Sequence, residues 1–322
     1  MILRCCLLLL VLFTPVLALS AEQSATGSDV KHKSASKLKV VTTIRPLHSL
    51  LSSIMQGNGK PVLLLDSRQS IHHYSLRPSQ RRALADADLI FWLAESLESF
   101  MPRVLKAIPE QIHVVKLIDT KGLLLLEPRT ISADADKKHR HGDEHRSHID
   151  PHIWLSIDNA LLIAAKMSET LSMLDPAFKH LYQNNLIRLS ARLNALQKKI
   201  SLSFDKRRFD YLVYHDAFQY FENAVNIKPL AAISKSEEQR PGIRHLSQIQ
   251  KLLSDKQVSC LVYNTKPLPA IAANLIRDTA ISPVYLDPTA QDFAAGTELY
   301  FQLMQAMHNA YAQCQKTDLT KH

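Results

Sequence analysis

Short apolar, β-branched runs alternate along this chain with stretches whose apolar residues recur every three or four positions. In the first half, "LKVVTTI" at 38–44, "PVLLL" at 61–65, "LIFWL" at 89–93 and "IHVVKL" at 112–117 read as strands. Between them, "LHSLLSSIMQ" at 47–56, "PSQRRALADA" at 78–87 and "LESFMPRVLKAI" at 97–108 carry helical patterns. The second half repeats this order with strands "YLVYH" at 211–215, "LAAI" at 230–233, "CLVYN" at 260–264 and one ending at Asp287 in "SPVYLDPTA". Its helical stretches are "AFQYFENAV" at 217–225, "IRHLSQIQKLLSD" at 243–255 and a closing helix near 291–313. Strand, helix, strand in repetition predicts parallel strands joined by right-handed crossovers, an α/β fold.

Phe178, Tyr182, Leu186, Leu189, Leu193, Leu196, Ile200 and Phe204 recur at steps of three and four between the halves. That is one amphipathic face of a single long helix, and about 30 helical residues would span ~45 Å. Such a connection is stiff: the chain has seven glycines and none between Gly142 and Gly242. The predicted organisation is an N-terminal α/β lobe at 38–174, a linker helix at 175–206 and a C-terminal α/β lobe at 207–322. Roughly 300 residues, about twice an ordinary domain, also favour two lobes.

The first 21 residues have the layout of a cleaved secretory signal: Arg4, the apolar run "CCLLLLVLFTPVLAL" interrupted by Pro15, then the small residues Ala18, Ser20 and Ala21. Residues 22–37 read as a polar, flexible leader. No later stretch approaches the ~20 apolar residues of a membrane span, so the expected product is exported and soluble. Export also bears on the cysteines. With Cys5 and Cys6 removed, Cys260 and Cys314 remain in a compartment where thiols are commonly oxidised, and one disulfide is expected, with two unconnected buried thiols as the alternative. The mature chain would carry 38 basic against 30 acidic residues, a net charge of +8. That excess is scattered and has no interleaved aromatics, which argues against a nucleic-acid partner.

The chemistry lies in the histidines. "KKHRHGDEHRSHIDPHIWLS" at 137–156 holds five of them. His139, His141, His145 and His148 fall in a polar stretch without periodicity, 128–149, read as a mobile loop and a weak secondary metal site, or else a merely solvated loop. His152 is different because Ile153, Trp154 and Leu155 follow it and can anchor it to a core. His72 in "IHHYSLRPS", His215 ending "YLVYH" and Asp287 ending "SPVYLD" likewise sit beyond strand ends, where open α/β sheets bind ligands. Three imidazoles and a carboxylate suit zinc. Each has an ordinary alternative: a hydrogen-bonded structural histidine, or an aspartate forming a turn before Pro288.

The words "HHYSLRPSQRRALADADLIFWLAESLESFM", "DPHIWLS", "YHDAFQYFE", "PGIRHLSQIQKLL" and "YLDPTA" together resemble the metal-specific solute-binding proteins of ABC importers, above all their zinc-binding, ZnuA-like branch. The resemblance covers nearly all of the mature chain. It implies a monomeric periplasmic protein with two parallel-sheet α/β lobes bridged by one rigid helix. Zn(II) would lie in the cleft between them, for delivery to a membrane permease. It assigns ligand roles to His72, His152 and His215, with Asp287, a water or His73 as the fourth, and it pairs Cys260 with Cys314. Manganese-binding relatives tend to use two carboxylates, so His215 favours zinc over manganese. A periplasmic zinc buffer or adhesin on the same fold is the other binding reading.

An enzyme is the reading set aside. "HRHGDEH" approximates the H-x-H-x-D-H word of metallo-β-lactamase-like hydrolases, but Glu144 separates Asp143 from His145, and the charged flanks cannot form the buried strand such a site needs. No H-E-x-x-H, glycine-rich phosphate loop or G-x-S-x-G turn occurs elsewhere. Glu95 and Glu98 are read as acidic residues on the outer surface, available to basic permease loops or simply solvated.

Overall fold

A computed structural model describes residues 37–66, 74–129, 131, 149–204, 209–234, 240–255 and 257–319. It shows two four-stranded parallel sheets. The first is built from β1 (Val40–Thr42), β2 (Val62–Leu63), β3 (Leu89–Trp92) and β4 (His113–Lys116), in the order β2-β1-β3-β4. The second comprises β5 (Asp210–His215), β6 (Ala231–Ser234), β7 (Val258–Tyr263) and β8 (Ser282–Tyr285), in the order β6-β5-β7-β8. The two sheets thus share one topology, and in each the strand order reverses direction beside the first strand. Pro283 is tolerated in β8 because that strand lies at the sheet edge, where a missing N–H breaks no ladder.

The helices are α1 (Arg45–Ile54), α2 (Pro78–Ala85), α3 (Met101–Leu105), α4 (Ile157–Leu174), α5 (Lys179–Ser203), α6 (Gln219–Ala224), α7 (Ile243–Asp255), α8 (Ala270–Ile276) and α9 (Leu299–Leu319). Among the described residues, none is long and apolar enough to cross a membrane. β5 shows why the strands read as continuous apolar runs. Tyr211 and Val213 enter the core under α9, while Leu212 and Tyr214 enter the core with Ile249 of α7 and Ala272 of α8. Both faces are covered, as parallel sheets require.

The long central helix is 25 residues, shorter than the sequence suggests. A 3-10 turn at Pro176–Phe178 precedes it and leaves Phe178 41 % exposed, whereas Tyr182, Leu189, Leu193 and Ile200 are buried. α5 packs against α1 and α4 of the first lobe and against α9. α9 in turn packs on β7 and β8 and on α1, so it also touches both lobes. One continuous buried cluster runs from Val40 and Leu47 through Leu189 to Tyr211 and Tyr311. The expected disulfide is present, joining Cys260 of β7 to Cys314 of α9 with a Cα–Cα distance of 5.3 Å. Closing a loop of 54 residues' separation removes chain entropy from the unfolded state worth about 4 kcal/mol.

Three further readings change. The pattern assigned no element to 157–174, yet α4 fills it, starting at Ser156, whose side chain accepts the Asn159 N–H. The closing helix starts at Leu299 rather than near 291, because Gly296 sits at φ 146°, a conformation a helix cannot contain. Glu98 is not on the surface: it is fully buried, and its Oε2 accepts the N–H groups of Leu93 at 2.8 Å and Ala94 at 3.0 Å, just past β3. Glu95 remains half-exposed and paired with Lys116 at 2.8 Å.

Burial, partly offset by these backbone hydrogen bonds, raises the Glu98 pKa from 4.5 to about 7. The folded state therefore holds a proton that the unfolded state releases between pH 4.5 and about 7. Stability from this group is present at the acid end of that window and is lost as pH rises through it, on the order of 3 kcal/mol in all. Urea unfolding of wild type and Glu98→Gln at about pH 5 and about pH 7.5 should show that slope in the wild type and its absence in the variant. Parallel pH dependences would refute the assignment.

Candidate metal centre

His152 owes its place to the "DPHIWL" word. Pro151 and the 3-10 turn Ile153–Leu155 bring the chain round, and all three residues of that turn are completely buried. Trp154 locks it further: its Nε1–H donates to the Pro288 carbonyl at 2.9 Å, in the loop after β8. Its own carbonyl accepts from the Tyr300 hydroxyl at 2.7 Å, at the start of α9. The first-lobe turn bearing His152 is therefore fastened to second-lobe chain.

His215 is the last residue of β5. It lies beside β7 and β6, where the strand order reverses, the crevice in which α/β sheets bind ligands. The two rings meet across the lobes with centroids 5.8 Å apart and planes at 65°, and both residues are buried, at 5 % and 8 % exposure. Two imidazoles sharing one tetrahedral ion at ~2.0–2.1 Å would hold their centroids roughly 5 Å apart. The observed spacing is within about 1 Å of that value.

Asp287 reaches the same neighbourhood, since Pro288 is bonded to Trp154. Its side chain also closes a turn: Oδ1 accepts from Thr289 N–H and Oγ1, both at 2.7 Å, and Oδ2 from Gln291 N–H at 2.6 Å. The turn-forming role foreseen for an aspartate before proline is thus filled; Oδ1 already accepts two hydrogen bonds, while Oδ2 accepts one and keeps a further lone pair. His72, His73, His139, His141, His145 and His148 lie outside the described residues. Among the described residues, no three metal-ligating side chains form a group that could hold an ion.

Around the histidines is a charged network that the sequence reading did not single out. Arg129 donates to Asp216 from Nε at 3.1 Å and from Nη2 at 2.5 Å, and it pairs with Glu222. Glu222 Oε1 accepts from the hydroxyls of Tyr211 at 2.8 Å and Tyr311 at 2.6 Å. Burial pushes both carboxyl pKa values up, while Arg129 pulls in the opposite direction. Asp216 and Glu222 stood in the conspicuous word "HDAFQYFE"; Arg129, at the rim of the polar stretch, gave no local signal.

Comparison with known proteins places this arrangement. The family model described as "Zinc-uptake complex component A periplasmic" matches residues 40–314. The high-affinity zinc uptake system protein ZnuA of Brucella abortus (strain 2308) is 30% identical over 305 residues, covering 85% of this chain and 91% of the relative. The protein of the same name from Yersinia pestis is 29% identical, with 86% and 91% covered. The fold resembles that of the Zn(II)-bound ZnuA-like domain of Streptococcus pneumoniae AdcA, with a TM-score of 0.66 at 19% identity and coverage of 85% and 98%. It also resembles that of FpvC from Pseudomonas aeruginosa in complex with Mn2+, with a TM-score of 0.71 at 17% identity and coverage of 86% and 98%. With shared topology, a cross-lobe histidine pair and a family match running from the first strand to the last cysteine, this chain belongs to the ZnuA family.

Proposed function

We propose that this protein captures Zn(II) in the periplasm and hands it to the membrane permease of an ABC importer. The observation that carries the reading is the pair His152–His215, drawn from different lobes and buried at 5.8 Å. The names of the relatives supply the cargo and the setting. His72 would be the third ligand, with Asp287, a water or His73 completing the set. The histidines of the 128–149 stretch would form a weaker secondary site that gathers the ion. The protein acts as a monomeric carrier without catalysis.

Zinc is the cargo, and its capture follows from the donors. Imidazole nitrogen replaces hydration water, and only neutral imidazole can do so, so protons compete and affinity falls on acidification. Because the rings come from two lobes, a slight shift of one lobe against the other would divide the ligand set and free the ion. The test is competition: the mature protein is equilibrated with equimolar zinc and manganese, and bound metal is measured after gel filtration. Zinc is expected to dominate, at about one tightly held ion per chain. A preference for manganese would overturn the assignment of cargo.

A further inference from the structure

We propose that Asp150 is the positioning residue for zinc capture, acting through His152; the proposal rests on the zinc-carrier reading above. The His152 Nδ1–H donates to Asp150 Oδ1 at 2.7 Å, and the His152 backbone N–H donates to the same oxygen at 3.0 Å. With Nδ1 carrying the proton, the lone pair lies on Nε2, the nitrogen that would bind an ion. A carboxylate on the far side of an imidazole fixes its tautomer and ring orientation and makes it a stronger donor to metal.

Asp150 is itself held from both lobes. Its N–H donates to the Leu126 carbonyl at 2.8 Å, and its carbonyl accepts from the Tyr220 hydroxyl of α6 at 2.9 Å. The same hydroxyl accepts the Leu126 N–H at 3.0 Å. Leu126 and Asp150 thus close the neck of the polar stretch, and second-lobe Tyr220 pins both sides of it. Asp150 is 4 % exposed, so its orientation of the ring is not shared with solvent. An aspartate two residues before a histidine also makes an ordinary turn, and the experiment must separate that role from one felt by the metal.

Asparagine can accept both hydrogen bonds but has no charge; alanine accepts neither. Zinc affinity is measured by chelator competition for wild type, Asp150→Asn and Asp150→Ala. The visible absorption of each cobalt(II)-loaded protein and the metal-free melting temperature are measured alongside. Asp150→Ala should weaken zinc binding by about 10–100-fold. Asp150→Asn should fall between it and wild type, with a metal-free melting temperature near wild type and an altered cobalt spectrum. If Asp150→Asn matches wild type in both zinc affinity and cobalt spectrum, the proposal is overturned and Asp150 is a turn former alone. If the unmutated protein itself holds no zinc, the carrier reading fails, and this proposal falls with it.

Discussion

Replacing His215 with alanine is expected to weaken zinc binding by more than about 100-fold. The reference is the outer partner of a ligand, whose loss costs about 10–100-fold; removing the nitrogen itself must cost more. His215 ends β5 with its neighbours packed on both sheet faces, so the backbone should keep its course in the variant. The metal-free melting temperature should therefore change little, and the loss should appear in binding. A saturating zinc excess, a thousandfold over the dissociation constant, should stabilise wild type by ~4 kcal/mol and leave His215→Ala nearly unmoved. Isothermal titration and thermal melts on the same samples decide it. His215→Ala protein that binds and responds to zinc like wild type would remove His215 from the ligand set and with it the cross-lobe site.

Arg129→Met is expected to cost about 3–5 kcal/mol at neutral pH, the penalty for leaving a buried charge without its partner. Glu222 has no solvent exposure and Asp216 has 14 %, against 16 % for Arg129, so water cannot substitute. The defect should also depend on pH. Burial already raises the Glu222 carboxyl, and without Arg129 nothing of opposite charge holds it down. Its folded pKa then lies further above the unfolded value, so stability from this group is retained in acid and lost as pH rises. Urea unfolding should accordingly find the Arg129→Met deficit small near pH 5 and largest above pH 7. Adding Glu222→Gln should recover much of it. A loss below ~1 kcal/mol, the value of an exposed ion pair, would show that the network contributes little.

The sequence was most informative where a local period carried the structure. The pattern at 243–255 became α7 with the same bounds, and His215 was placed at a strand end because "YLVYH" can be little else. It was least informative where distant charges meet. Arg129 lies 87 positions from Asp216 and 93 from Glu222, and no periodicity reports such a pairing. Glu98 shows the same limit from the other side: a glutamate in "LESF" looks solvated until backbone donors from Leu93 and Ala94 fold over it. α4 was passed over although Ile157, Ala160, Ile163, Ala164, Met167 and Leu171 are all buried, a helical stripe in retrospect. Of the candidate site, the meeting pair His152 and His215 was legible in its residue types. The orientation of His152 was not, since the hydrogen bond that sets it is a matter of ångströms.

Because α5 and α9 each press against both lobes, and the apolar interior passes between them without a break, the two halves are not separable modules. Severing the chain after α5 would strip greasy surface from each fragment and expose it to water. Heat or denaturant should therefore melt the protein in one step rather than lobe by lobe, and whatever opening releases the cargo must be a small sliding of packed side chains.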